Sequence, residues 1–299
     1  MMLNIKPIFY FLRATLTGVF LFVAIQSYTQ YNSLLWKISG NGLQQPSFLY
    51  GTMHTKDARV FAFGDSVMPA FNSTAAYAME LDVDATVSPA LLGQLMMGGK
   101  HSIQKMMPAA EYHRLDSLFK IQSKGLSVKL FDNLSPMLLL MMLETQALGL
   151  SDSSISGNEE ALDVYFFKEA RKQHKKRIGI ETIEEQMQAI NSLSYKEQAA
   201  MLTEALQEMQ RGTAASPALL QHYTNQQLDS LLLLNEAEAM PPKFYKALIT
   251  DRNARMAQRM EAIIRQQSTF IAVGALHLPG SDGVIARLRQ KGFTVLPHR

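Results

Sequence analysis

Two histidines far apart in the chain arrive in the same way. Phe48-Leu49-Tyr50-Gly51-Thr52-Met53-His54 is a short apolar run, then a glycine, then a histidine three residues on. Phe270-Ile271-Ala272-Val273-Gly274-Ala275-Leu276-His277 repeats that G-x-x-H arrangement. An apolar run stopping at glycine reads as a strand whose end turns sharply or approaches other backbone closely. Two further strand ends deliver acids: Met79-Glu80-Leu81-Asp82 and Gly179-Ile180-Glu181. Two imidazoles and a carboxylate are a common ligand set for a divalent metal with an open position. His54 and His277 are the expected ligands. Glu80 is either the third ligand or the general base, Asp82 is the substitute carboxylate, and Glu181 is a supporting acid. A metal so held polarises a carbonyl and lowers the pKa of bound water to about 7.

Other nucleophiles are excluded. The chain has no cysteine, so it has no thiol nucleophile, thiolate metal site or disulfide. It has neither a G-x-S-x-G elbow nor an H-E-x-x-H helix. His101, His113, His174, His222 and His298 lie in polar, charged or terminal surroundings and read as structural or solvated. Asp163 and Glu169 read as surface acids of a helix. For Arg252 a plain surface or ion-pair role is the simpler reading, and the functional one is that it clamps a carboxylate or orients Glu80.

The elements that must position these groups follow from the patterning. Lys6 and Arg13 precede a charge-free, mostly apolar run from Ala14 to Ile25, too short for a comfortable membrane span. Residues 1–30 are therefore expected to be a secretory signal, with an uncleaved membrane anchor as the alternative. Either places residues 31–299 outside the cytoplasm: secreted, periplasmic or in the cell envelope. Leu34-Leu35-Trp36-Lys37-Ile38 pairs with the run ending at Gly51 as a hairpin. A helix opening near Asp65 or Ser66 then leads to the strand Ala75–Asp82, an order that implies parallel pairing. From about 88 to 267 the chain reads as a mainly helical insertion, with a methionine-rich helix at Pro136–Leu148 and a short strand at Arg177–Glu181. Methionine there reads as adaptable core. A helix opening at Pro241-Pro242, a strand at Ser268–Gly274, a helix at Gly280–Lys291 and a strand at Phe293–Leu296 close the chain. The predicted class is α/β: a mixed, largely parallel central sheet with a large helical insertion. Acids at the C-terminal strand ends would share one edge with the histidines, where ligands gather in such sheets. Net charge is +3, and Lys6 with Arg13 accounts for two of that, leaving +1. So flat a balance excludes an electrostatic case for nucleic acid.

Leu35-Trp36-Lys37-Ile38, Tyr50-Gly51-Thr52-Met53-His54, Phe63-Gly64-Asp65-Ser66-Val67 and Met79-Glu80-Leu81-Asp82 occur in an order that resembles the TraB/PrgY/GumN family, which includes the Tiki metalloproteases. Ala161-Leu162-Asp163, Gly179-Ile180-Glu181-Thr182, Glu185-Gln186, Arg252-Asn253-Ala254-Arg255-Met256-Ala257 and Val273-Gly274-Ala275-Leu276-His277-Leu278-Pro279-Gly280 continue it. The resemblance implies a fold shared with erythromycin-esterase-like and haem-binding ChaN-like proteins. It implies a metal site centred on His54, Glu80 and His277, with Arg252 in support. For Tiki-like members it implies peptide hydrolysis aided by manganese or cobalt, with zinc the other metal considered. Ser135-Pro136-Met137 replaces a Lys-Pro-Trp-like segment of many relatives, and Ala161 replaces a glycine. Both departures fall in the helical part, which bears on substrate choice.

The expected function is therefore a secreted or envelope-associated, divalent-metal-dependent hydrolase of peptides or proteins. The alternative is a non-catalytic extracytoplasmic protein that binds a peptide or haem.

Overall fold

The structure is a computed structural model that describes residues 32–53, 55, 57–81, 93, 95–98, 101–147, 162–211, 216–237 and 240–299. The N-terminal segment, His54 and Asp82 lie outside the described residues.

Two antiparallel strands open the fold, β1 (Leu35–Ser39) and β2 (Ser47–Thr52). Helix α1 (Val67–Asn72) leads to β3 (Ala76–Leu81). The helices α2 (Ile103–Met106), α3 (Ala109–Gln122), α4 (Pro136–Ala147) and α5 (Leu162–Lys172) follow, then β4 (Lys176–Glu181). Next come α6 (Ile183–Ile190), α7 (Tyr195–Arg211), α8 (Ser216–Thr224) and α9 (Leu228–Ala237). The helix predicted from Pro242 is interrupted: α10 (Pro242–Tyr245) passes through a π turn at Lys246–Thr250 into α11 (Asp251–Gln266). Strand β5 (Thr269–Gly274), helix α12 (Val284–Gln290) and strand β6 (Thr294–Pro297) end the chain.

The six strands form one sheet in the order β4-β3-β5-β2-β1-β6. The pairs β4–β3, β3–β5 and β5–β2 are parallel, and β2–β1 and β1–β6 are antiparallel. This is the mixed, largely parallel sheet expected from the sequence. The hairpin is in place, with Leu35 opposite Tyr50. β2 and β3 are not neighbours, because β5 lies between them. β5 is apolar from Phe270 to Val273 and buried along that run, the pattern of a strand covered on both faces. Ser66 occupies the cap position of α1 but makes no side-chain capping bond. Thr182, by contrast, opens α6 with a full capping box to Glu185.

Two hydrophobic cores form. One surrounds the sheet and includes Trp36, Tyr50, Phe71, Phe166, Phe270 and Ile285. The other joins α3, α4 and α7 through Leu115, Phe119, Leu139, Leu143, Leu202 and Leu206. The long middle segment is thus not one layer, since α5, α8 and α9 contribute Phe166, Tyr223 and Leu231 to the sheet core. Among the described residues no helix is long and apolar enough to cross a membrane.

Candidate metal centre at the strand ends

The four parallel strands β4, β3, β5 and β2 end on one edge of the sheet, which is where their polar residues gather. β3 ends with Glu80, β4 with Glu181, and β5 passes through Gly274 into a single 3-10 turn, Ala275–His277. The structure brings Glu80, Glu181, Arg252 and His277 together there.

Glu80 is held at both oxygens. Its Oε1 accepts the backbone N–H of Gly274 at 2.6 Å, and its Oε2 accepts from Arg252 Nη2 at 2.9 Å and from Gln186 Nε2 at 3.4 Å. The glycine eases this approach. A Cβ at position 274 would lie 3.2 Å from Glu80 Oε1 and 3.6 Å from His277 Cδ2. Gly51, in the first G-x-x-H, has a different reason: a Cβ there would press on Ala275 Cα at 3.1 Å and Leu278 Cδ2 at 3.2 Å. Both glycines let β2, β5 and the turn after β5 pack closely.

His277 is buried, and its Nδ1 lies 2.6 Å from Asn253 Oδ1. Asn253 Nδ2 donates to the carbonyl of Asp282 at 3.0 Å, which fixes which end of the amide faces the ring. The oxygen therefore faces Nδ1, so Nδ1 carries the proton. Nε2 is then the nitrogen that carries the lone pair, and it faces Glu80 Oε1 at 3.7 Å. A second ring N–H held by an oxygen acceptor is a general feature of metal-binding histidines, and here the acceptor is a side-chain amide.

Arg252 links the two acids. Its Nε donates to both oxygens of Glu181, at 3.1 and 3.0 Å, and its Nη2 reaches Glu181 Oε2 at 2.6 Å. Nη1 donates to the carbonyl of Leu248 in the π turn at 3.3 Å. Burial works against the cation, but hydrogen bonding to Glu181 and the charge of Glu80 outweigh it, so its pKa lies above the ordinary arginine value. The Glu181 side chain is fully buried and committed to this guanidinium, so it supports the site through Arg252.

The donor set suits a divalent cation. Two donors bound at about 2.1 Å to one tetrahedral or octahedral ion lie roughly 3–3.5 Å apart, close to the observed separation of Glu80 and His277. Glu80 and Glu181 face the buried Arg252 guanidinium, and the more exposed Arg255 lies 4.0 Å from Glu181, so charge at this edge is close to balanced. Among the described residues no three histidines and acids converge on one position; Glu80 and His277 supply two donors. His54 and Asp82, the other two residues named from the sequence, are outside the described residues.

Comparisons with known proteins give the family. The profile of the TraB/PrgY/gumN family matches residues 34–297. The chain belongs to this family. Curated TraB/PrgY/gumN relatives are named metalloproteases. Metalloprotease TIKI2 of Danio rerio is 25% identical over 318 residues, covering 88% of this chain and 60% of that protein. Metalloprotease TIKI2 of Xenopus tropicalis is 26% identical, covering 90% and 60%. Metalloprotease TIKI1 of Homo sapiens is 25% identical, covering 89% and 62%. The chain thus spans about three fifths of the length of these relatives. No solved structure matches it.

Three residues at the site escaped the reading of the sequence. Asn253 sits beside Arg252, and a helix pair in which one side chain clamps an acid is a place to look for a second polar anchor. Gln186 lies one turn into α6 and donates to both Glu80 and Glu181, each at 3.4 Å. Asp163 is not a surface acid: it is half-buried, and its Oδ1 accepts from Thr52 Oγ1 at 2.7 Å at the end of β2. The remaining histidines are elsewhere, His101 against the ring of Tyr195, His222 against Gln227 and His298 against Phe48.

Proposed function

We propose that this protein is a divalent-metal-dependent hydrolase of peptides or proteins that works outside the cytoplasm. The observation that carries the reading is His277, oriented through Nδ1 by Asn253 so that Nε2 faces Glu80 Oε1. In this proposal His277 Nε2, Glu80 Oε1 and His54 hold the ion. A divalent cation there supplies Lewis-acid polarisation of a carbonyl and lowers the pKa of the water it holds to about 7.

The protein's own groups divide the remaining work. Arg252 and the Gly274 N–H fix Glu80 in direction. With both oxygens held by these bonds, Glu80 serves here as ligand, with general base the alternative role. Asn253 holds the His277 tautomer, and Glu181 holds Arg252. The family's named metalloproteases support peptide substrates, and the apolar segment at Ala14–Ile25 supports a site of action beyond the cytoplasm. Manganese or cobalt is the proposed ion by resemblance to Tiki proteins, with zinc the competitor.

The test is metal content by elemental analysis beside cleavage of a mixed peptide library. His277→Ala, Glu80→Gln and His54→Ala should each lose metal affinity by more than the roughly 10–100-fold that outer-shell partners cost, and lose cleavage with it. Undiminished metal and turnover in all three would overturn the proposal. Metal retained by the wild type with no cleavage of any peptide would replace it with the peptide- or haem-binding alternative.

A further inference from the structure

We propose that the tip formed by the end of α3 and the turn after it is a contact site for an anionic lipid surface. The tip runs Lys120-Ile121-Gln122-Ser123-Lys124-Gly125-Leu126-Ser127-Val128-Lys129-Leu130. It is a built turn. Lys124 and Gly125 take left-handed backbone, with φ of 56° and 109°, and the Gly125 N–H closes on the Lys120 carbonyl at 2.8 Å. Asp116 then ties the return path to α3, its Oδ1 accepting from Ser127 Oγ at 2.6 Å and the Val128 N–H at 3.0 Å. The inward side chains are satisfied: Val128 is buried, and the rings of Phe119 and Phe131 pack at 5.2 Å.

The outward ones are not explained by packing. Ile121 is 78% exposed, Leu130 70% and Leu126 48%. Single exposed apolar residues are ordinary, but three large ones on a single turn are not. The other large exposed apolar side chains among the described residues, Met96, Met141, Leu233 and Leu296, are on other elements.

Charge points to the occupant. From Ser117 to Phe131 there is no acid. Lys120 is paired with Asp116 at 2.6 Å, while Lys124 and Lys129 are exposed and have no acidic partner among the described residues. Asp132, the next acid, accepts the backbone N–H of Gln104 at 2.8 Å through Oδ1. Along the segment the exposed apolar side chains alternate with lysines, so the sequence offers no continuous apolar run to a protein groove. That arrangement matches interfacial insertion. Branched apolar side chains enter the acyl boundary, while ammonium groups stay level with anionic headgroups. The contact uses none of the residues proposed for the metal site.

The absence of cysteine allows a direct test in the full chain. A nitrobenzoxadiazole label is attached to Ile121→Cys or Leu126→Cys, with Leu233→Cys as the control position, and circular dichroism checks that each variant folds. On vesicles of phosphatidylcholine with phosphatidylserine, the label at 121 or 126 should shift to the blue and become shielded from an aqueous quencher. The label at 233 should not. Adding Lys124→Gln with Lys129→Gln should weaken the response about thirty-fold, as loss of two surface lysines implies. The proposal is overturned if the tip labels stay wet on these vesicles. It is equally overturned by an equal response on phosphatidylcholine alone, or by shielding that needs an added protein and no vesicles.

Discussion

The layer around the sheet is packed with aromatic rings, whereas the core of the helical side is packed with methionines. Tyr50, Phe71, Phe166 and Phe270 meet in tilted and edge contacts with centroids 5.2–6.0 Å apart. On the helical side Met97, Met107, Met137 and Met187 are buried, with Met106, Met142, Met201 and Met209 packed around them. Rings fit one way, and methionine fits many. Glu80 and His277, the described residues among those proposed to hold the metal, stand on the rigid side, where errors of a fraction of an ångström matter. The adaptable side has the composition of a wall that can reshape around different chains. The contrast separates two demands, a fixed centre and a tolerant surround.

The largest effect should come from breaking the rigid edge. Arg252→Met leaves Glu181 buried without its cation, and such a change costs about 3–5 kcal/mol. Urea unfolding should show that loss. The double variant Arg252→Met with Glu181→Leu should recover part of it, because the unpaired charge is gone. If the single and double variants are equally unstable, the loss is one of packing, and the edge is no more demanding than the helical side.

A matched pair of truncations sharpens the comparison. Leu49 of β2 and Leu202 of α7 are both fully buried. Removing a buried leucine side chain costs about 2–5 kcal/mol, with the spread set by how far the site collapses. Leu49→Ala, walled by sheet and rings, should fall near the top of that range. Leu202→Ala, in the core that holds the methionines, should fall near the bottom. Equal midpoint shifts in urea would erase the distinction.

The smallest effect is at the seam, where α6 leaves the sheet. Arg259 hydrogen-bonds Glu185 and, with the backbone of Thr182, lowers its carboxyl from 4.5 to about 2 against the cost of burial. A depressed folded-state pKa means the stabilisation is complete above about 4.5 and is lost as pH falls through about 2. Arg259 is partly exposed, so solvent screening holds the contribution to about 1 kcal/mol. Glu185→Gln should remove that part of the acid dependence and leave neutral-pH stability about 1 kcal/mol lower. An unchanged acid profile would show that the seam carries no such coupling.

The strands and the polar residues they end with were legible because each is a local pattern. An apolar run, a glycine and a histidine describe the end of β5, and small apolar residues before Glu80 describe β3. The insertion of β5 between β2 and β3 was not legible, since nothing near Phe71 or Ala76 records a partner about 200 residues away. Asp163 was unread for the same reason, since its partner Thr52 is 111 positions away, and Asn253 because its partner His277 lies 24 positions on, in the turn after β5. Pro242 announced a helix start, yet the π turn at Lys246–Thr250 left no sign, because its carbonyl is used by the Arg252 side chain instead of by composition.

The place of β5 also sets a timetable. Ser47 Oγ accepts the N–H of Thr269, a bond between residues 222 positions apart, and the same strand supplies the Gly274 N–H to Glu80. Pairings of such separation form late, after the entropy of closing a long loop has been spent. Until Thr269–Gly274 has left the ribosome and docked, Glu80 lacks one of its donors and His277 is not at its side. A growing chain therefore carries only part of the site, and the metal binding proposed for it begins with the completed fold.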